Sequence, residues 1–279
     1  MPASTPSSAP RAPVDRARRG RAPAVLVVPA VLGLVFLVAP LGALVVRAPW
    51  GDLAEHLSSP QVREALRLSV VSATSATLLC VVLGVPLAWV LARVDFVGRR
   101  LVRALVTVPL VLPPVVGGVA LLLLLGRRGL VGEHLGSAFG VSLPFTTAAV
   151  IIAEAFVAMP FLVIAVEGAL RGADPRYEEA AASLGASRWL TFRRVTLPMV
   201  APGVGAGAVL CFARALGEFG ATITFAGSFP GVTRTMPLAV YLALETDPDA
   251  AIVLSLVLLA VCVAVLVSLR GRWLTGGAP

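Results

Sequence analysis

The chain of 279 residues contains no lysine, and only 14% of its residues are charged. Soluble domains carry about 25% charged residues, so the low charge argues against an ordinary soluble protein. The missing lysine also excludes the glycine-rich loop, ending in Gly-Lys-Ser or Gly-Lys-Thr, that binds nucleotide phosphates. We therefore expect that the chain is not an enzyme, hydrolyses no ATP by itself and binds no cofactor.

Cysteine and histidine are also rare, with three and two residues respectively. Cys80, Cys211 and Cys262 each lie in an apolar stretch, and their spacing is neither paired nor typical of a metal site. We interpret them as small packing residues. His56 and His134 stand alone in the sequence. The sequence therefore predicts no metal site, and it lacks the clustered polar residues of a membrane-embedded enzyme.

Apolar residues are abundant and make up 58% of the chain. A helix needs about 20 apolar residues to cross a bilayer core of roughly 30 Å. Six stretches are long enough: 24–46, 68–92, 104–126, 146–167, 199–225 and 250–269. Because lipid offers no partners for backbone groups, such spans are helical. The sequence predicts an all-α polytopic membrane protein with six transmembrane helices.

Arginine placement predicts the orientation of these spans. Sixteen of the 23 arginines lie before the first span, after the second, between the fourth and fifth, or after the sixth. The positive-inside rule then places both termini and the segment 168–198 in the cytoplasm. This placement accounts for the net charge of +8. Because the charge is spread over juxtamembrane clusters, we expect no nucleic-acid partner.

Three regions follow from this organisation. Residues 1–22 are rich in Arg and Pro and are expected to form a disordered cytoplasmic tail. Residues 23–272 form the transmembrane domain, with a long cytoplasmic loop at 171–198. Residues 273–279 form a short C-terminal tail. A cleaved signal peptide is the alternative for the first span, but that apolar run is longer than a usual signal core.

The cytoplasmic loop contains a polar, Arg-bearing segment in an otherwise apolar chain. Asp174 and Pro175 predict a helix start, with the aspartate as N-cap and the proline as first helical residue. Glu178 and Glu179 then fall in the early turns, where the helix dipole favours negative charge. The loop therefore begins with a short helix that carries two carboxylates.

A second short helix is predicted after a turn. Gly185 is placed to end the first helix in a left-handed conformation. Ser187 can cap a second helix that we expect to end at Pro198. The result is a helix–turn–helix knob, for which an ordinary solvated loop is the alternative.

The spacing of Glu179-Ala180-Ala181, Gly185 and Leu197-Pro198 resembles the coupling motif of the membrane subunits of ABC importers. In that family the short helix sits in a groove on a cytoplasmic ATPase. The resemblance assigns ATPase coupling to Glu178, Glu179, Ala180, Ala181, Gly185, Leu197 and Pro198. It also implies a homodimer in the bacterial cell membrane, a cytoplasmic ATPase dimer that holds ATP and Mg²⁺, and an extracytoplasmic substrate-binding protein.

Two further segments indicate which branch of this family the chain resembles. Residues 109–118 and 213–241 are similar to the molybdate permease, and more loosely to the sulfate and tungstate permeases. The resemblance implies ATP-driven import of an oxyanion, with molybdate first and sulfate or tungstate as alternatives. An ion-coupled secondary transporter is a further alternative, but it predicts internal repeats, and no clear repeat is present.

Two ionisable residues in the fifth span indicate a translocation path. Arg214 and Glu218 are four residues apart, so they can pair. Ionisable residues at membrane depth face a bundle interior or a water-filled path. The pair either gates the path or holds helices together, and Glu154 is a further candidate. The candidate path or gate residues are Pro113, Pro114, Gly117, Arg214, Glu218 and Thr222.

Overall fold

The computed structural model describes residues 24–273, and within that range the chain forms helices and no β-strand. The helices are α1 (Ala24–Val46), α2 (Leu53–Ser58), α3 (Pro60–Arg93), α4 (Arg99–Val111), α5 (Pro114–Leu125), α6 (Gly132–Phe139), α7 (Thr147–Gly172), α8 (Arg176–Ser183), α9 (Arg188–Thr191), a π-helical turn (Phe192–Thr196), α10 (Leu197–Leu216), α11 (Gly220–Phe225), α12 (Met236–Thr246) and α13 (Pro248–Trp273). The predicted tails, 1–22 and all but the first residue of 273–279, lie outside the described residues.

The chain divides into two compact units, with the boundary after Val46. In the first unit, the described part is helix α1, which is apolar along its whole length and long enough to cross a bilayer. The second unit contains α2 to α13. Two long helices of the second unit begin with a side-chain cap: Ser59 Oγ accepts the N–H of Val62 before α3, and Thr146 Oγ1 accepts the N–H of Ala149 before α7.

The core of the second unit is formed by α3, α7 and α10, which pack closely against one another. Small residues make this approach possible. Gly84 on α3 faces Leu162 of α7, and Gly207 on α10 faces Ala165 of α7. Packing through small residues is the usual way in which membrane helices associate, because lipid provides no hydrophobic drive between them.

The prediction of an all-helical membrane protein is confirmed, but the spans differ in detail. In the described part of the chain, five continuous helices are long and apolar enough to cross a bilayer. The predicted third span, 104–126, is instead two helices, α4 and α5, bent by 116° at Leu112 and Pro113. Pro113 disfavours helical geometry in the residue before it, and Pro114 suits the first position of a new helix. Six spans result only if this bent pair counts as one.

The predicted fifth span, 199–225, was wrong at its end. Helix α10 stops at Leu216, and α11 begins as a separate helix at Gly220. The prediction that Pro198 ends the second loop helix was also wrong. The wider π-helical turn connects α9 to α10, so Pro198 falls in the first turn of α10, where a missing N–H is tolerated.

Candidate functional site

The helix–turn–helix knob begins one residue later than predicted. Helix α8 starts at Arg176, and Pro175 is the residue before it. Asp174 still supports this start, because its Oδ1 accepts the backbone N–H of Arg176 at 3.0 Å. A shift of one residue is within the ordinary uncertainty of a helix boundary.

The turn between α8 and α9 has the predicted geometry. Gly185 has a φ of +82°, in the left-handed region that favours glycine. The N–H of Ala186 donates to the carbonyl of Ala181 at 3.0 Å, which closes the end of α8. Ser187 Oγ accepts the N–H of Leu190 at 3.3 Å and thereby caps α9.

The two carboxylates of α8 have different surroundings. Glu178 Oε1 accepts hydrogen bonds from Arg93 at 3.1 Å and from Thr196 Oγ1 at 3.0 Å, and the Glu178 side chain is only 21% exposed. Glu179 is exposed and forms no ion pair within residues 24–273. One carboxylate therefore fastens α8 to the end of α3 and to the π-helical turn, and the other faces outward.

Aromatic side chains hold α9 against α3. The ring of Phe192 packs edge-on against Trp89, with ring centroids 5.9 Å apart, and stacks on Trp189 at 5.8 Å. Leu197 is half-buried against the core, whereas Pro198 is exposed. The knob is therefore fixed to two core helices.

The outward surface of α8 combines small, apolar and acidic groups. Ala180 is exposed beside Glu179, Ala181 is half-buried, and Leu184 is 89% exposed. The Leu184 side chain and the Glu179 carboxylate are therefore both accessible on this helix.

The predicted path residues gather where two helix breaks adjoin. A Cβ atom at Gly220 would lie 2.8 Å from Cβ of Pro114, and one at Gly118 would lie 2.7 Å from Cβ of Thr224 and 2.8 Å from the carbonyl oxygen of Ala221. Real Cβ atoms do not approach so closely, so both positions need glycine. The start of α11 therefore packs directly on the first turns of α5.

Glu218 lies at the second break and is only 1% exposed. Its Oε2 is 2.7 Å from Arg214, and its Oε1 accepts the N–H of Ala221 at 2.8 Å. The predicted pair is thus present, although Glu218 lies beyond the end of α10. The carboxylate both neutralises Arg214 and begins α11.

The other path candidates differ in how deeply they are buried. Gly117 is buried against the ring of Phe156 on α7, and Pro113 and Pro114 are exposed. Thr222 is fully buried, and its hydroxyl has no hydrogen-bond partner among the described residues.

A buried polar cluster lies beside these breaks. Glu154 on α7 is 1% exposed, and its Oε1 accepts a hydrogen bond from Ser72 Oγ at 2.8 Å. Its neighbour Ala153 belongs to the same buried cluster as Leu121 of α5 and Ala221 of α11. One turn away from Ser72, Ser69 Oγ accepts the N–H of Met236 at 2.7 Å. The two serines of α3 thus connect α7 and the start of α12.

The serines were missed by sequence reasoning, which singled out Glu154 alone. Ser69 and Ser72 are three residues apart in an apolar run, so they lie on one helical face. This spacing is the sequence feature that could have identified them as a polar contact site. Within residues 24–273, no group of three or more His, Cys, Asp or Glu side chains is arranged to hold a metal ion.

Comparison with known proteins places this geometry in context. Residues 84–275 match the family model described as "Binding-protein-dependent transport system inner membrane component". The chain is 52% identical over 244 residues to the molybdenum transport system permease protein ModB of Mycobacterium tuberculosis, covering 88% of this chain and 92% of that protein.

Two relatives of lower identity are also transport permeases. The chain is 41% identical over 211 residues to Escherichia coli ModB, covering 76% of this chain and 92% of the relative. It is 38% identical over 240 residues to the sulfate transport system permease protein CysT of Escherichia coli, covering 85% and 86%.

Among solved structures, a bacterial ABC transporter that imports the acidic polysaccharide alginate matches with a TM-score of 0.71 at 18% identity, covering 89% of this chain and 93% of that one. The MetNI methionine ABC transporter matches with a TM-score of 0.55 at 20% identity, covering 76% and 92%. At these identities the likeness shows the fold alone.

Proposed function

Because the chain belongs to the family of binding-protein-dependent transport system inner membrane components, and is a multi-pass permease subunit of an ABC importer in the bacterial inner membrane, we propose that it carries molybdate into the cytoplasm. The support for molybdate is the identity of 52% and 41% to two molybdenum permeases, against 38% to a sulfate permease. Sulfate and tungstate are the alternative substrates.

In this proposal ATP and Mg²⁺ are bound by a separate ATPase dimer, and an extracytoplasmic protein delivers the substrate to a dimer of this chain. Membership of the family supports this proposal over the ion-coupled secondary transporter.

We also propose that the knob couples this chain to the ATPase. The supporting observation is that the two carboxylates of α8 have different surroundings. Glu178 is occupied by Arg93 and Thr196, so it positions the knob. Glu179 is exposed and is the carboxylate available to a basic residue of the ATPase. Ala180 and the half-buried Ala181 let the two proteins approach closely.

In this proposal, a displacement of the knob is transmitted to the long helices of the core. Glu178 and the aromatic contacts of Phe192 fasten α8 and α9 to the ends of α3 and α10. These two helices pack against α7 through small side chains. Because a close-packed core is not continuously deformable, a displaced knob moves these helices as rigid bodies.

The helix breaks provide the path in this proposal. Arg214 is 26% exposed and could attract an oxyanion, but Glu218 neutralises most of its charge. A charge-balanced pair passes an anion onward, whereas an unpaired guanidinium would hold it tightly. The same pair also begins α11, so its gating and structural roles are coupled.

The test is uptake into proteoliposomes that contain this chain, its ATPase and its binding protein. Molybdate, tungstate and sulfate are compared, with ATP inside the vesicles. We expect ATP-dependent uptake of molybdate in preference to the other two. Uptake of sulfate alone would overturn the substrate and keep the importer, and uptake without the ATPase would overturn the coupling mechanism.

A further inference from the structure

A strongly basic cavity of about 530 Å³ lies where α3 ends, α4 begins and α7 ends. Its charged and turn residues are Asp95, Gly98, Arg99, Arg100, Arg103 and Arg171. The coupling and path residues described above are not among them. By the predicted orientation, this cavity opens at the cytoplasmic boundary of the membrane.

The positive charges in the cavity exceed the negative charges that face them. Glu167 Oε1 accepts from Arg103 and from Arg171, each at 2.7 Å, and Asp95 pairs with Arg99. Two carboxylates therefore pair with three of the four arginines. Arg100 is exposed and has no ion pair within residues 24–273, and the Arg171 side chain is 52% exposed.

The start of α4 adds to this excess. Its N-cap is Gly98, with a φ of +90°, and the first turn has no side-chain cap and no acidic residue. Arg99 and Arg100 occupy that turn instead. Arg99 is held by Asp95 and by the carbonyls of Leu91 and Ala92 at the end of α3. Arg100 is therefore the arginine that lacks a counter-charge among the described residues, at a helix end whose dipole favours an anion.

Next to this basic end, α4 exposes an apolar face. Leu101, Leu105 and Val108 are exposed and lie at helical spacing along one side of the helix. A small inorganic anion would use the arginines and leave this face bare. An anionic phospholipid has a phosphate for the arginines and acyl chains for the apolar face.

We propose that the cavity binds the headgroup phosphate of an anionic phospholipid, whose acyl chains lie along Leu101, Leu105 and Val108. Basic pockets at the cytoplasmic ends of membrane helices suit such headgroups, since each arginine near the surface attracts anionic lipid. The bound lipid neutralises the start of α4 and connects it to the ends of α3 and α7.

The test is binding of dioleoyl phosphatidylglycerol to the assembled transporter in detergent, measured by native mass spectrometry, with dioleoyl phosphatidylcholine as the uncharged comparison. Replacing two arginines (Arg100→Gln with Arg171→Gln) is expected to weaken binding of the anionic lipid about thirty-fold. Arg63→Gln with Arg67→Gln removes two exposed charges elsewhere and is the matched control, expected to change binding less than twofold.

Thermal unfolding verifies that the double variant is folded. Should it unfold, Arg100→Gln alone suffices, because that side chain makes no ion pair in the described part of the chain; the expected loss is about fivefold. Equal binding of both lipids, or an equal loss in the control pair, would overturn the proposal.

Inorganic phosphate separates a lipid from a free anion. Displacement of phosphatidylglycerol by equimolar phosphate would mean a free-anion site and would contradict a lipid site. Unchanged lipid binding together with weaker ATPase association in the Arg100/Arg171 variant would instead identify an acidic protein surface as the occupant.

Discussion

The helix–turn–helix knob and the buried region at the helix breaks both use a carboxylate held by an arginine. In the knob, Glu178 accepts from Arg93 and leaves its neighbour Glu179 facing outward. In the interior, Glu218 pairs with Arg214, and the second carboxylate, Glu154, is buried and bound to Ser72.

The difference lies in what the second carboxylate can reach. In the knob, Glu178 positions the helix and Glu179 is free for a partner, so the effects on helix position and on coupling can be separated by mutation. Inside, both carboxylates contact other parts of the same chain, so a change there affects folding and transport together. The following substitutions test that separation, from the largest expected effect on stability to the smallest.

Gly118→Ala should have the largest effect. The new Cβ would meet the backbone of Ala221 and the side chain of Thr224, so α5 and α11 must separate. We expect a loss of about 1–3 kcal/mol in stability, measured as thermal unfolding in detergent. Gly205→Ala is the control, since no atom lies within 4 Å of its Cβ position; it should be neutral or stabilising by about 0.5–1 kcal/mol. Equal unfolding temperatures for the two variants would contradict the close packing of the breaks.

Glu218→Gln tests whether the interior pair is structural. Glutamine can still accept the N–H of Ala221, but Arg214 loses its counter-charge. Because the variant leaves the partly buried Arg214 without its ion-pair partner, we expect moderately lower stability together with altered uptake. Glu154→Gln is the comparison, since it keeps the Ser72 bond and has no arginine partner within residues 24–273. Altered uptake at wild-type stability would show that Glu218 gates the path without holding the helices.

Glu178→Ala should reduce stability moderately. It removes the acceptor for Arg93 and Thr196 at the junction of α8 with α3 and α10. The group is mostly buried, so we expect a loss of about 1–2 kcal/mol and weaker coupling as the knob shifts. Limited proteolysis of the 171–198 loop would report the loosening directly, and wild-type protection of that loop would argue against a positioning role.

Gly185→Ala should have the smallest structural effect of the series. The left-handed backbone at this position costs a residue with a Cβ about 1 kcal/mol, although no neighbouring atom obstructs the side chain. We expect a slightly lower unfolding temperature and reduced uptake. Gly168→Ala inside α7, with open space at its Cβ, should be neutral or slightly stabilising and should leave uptake unchanged.

The sequence predicted the knob almost residue by residue, because local groups determine it. Asp174, Gly185 and Ser187 act on backbone groups within five residues of themselves. The exception is Pro198, where the π-helical turn depends on how α9 packs against Trp89.

The interior could not be predicted in the same way. Ser72 contacts a residue 82 positions away, and Ser69 contacts one 167 positions away. The break at residues 217–219 depends on the Glu218 side chain and on the close approach of α5 and α11. Pro113 and Pro114 were the local signal for the first break. Within an apolar run, however, glycine and proline are also compatible with a continuous membrane helix, so the sequence alone did not decide between a bend and a break.

The most direct test of the account is ATP-dependent molybdate uptake by transporters that contain Glu179→Ala, with the unfolding temperature measured on the same preparation. Because Glu179 is exposed and makes no ion pair in the described part of the chain, we predict an unchanged unfolding temperature, weaker ATPase association and loss of uptake. Uptake at the wild-type rate would contradict the claim that the free carboxylate of the knob couples this permease to its ATPase.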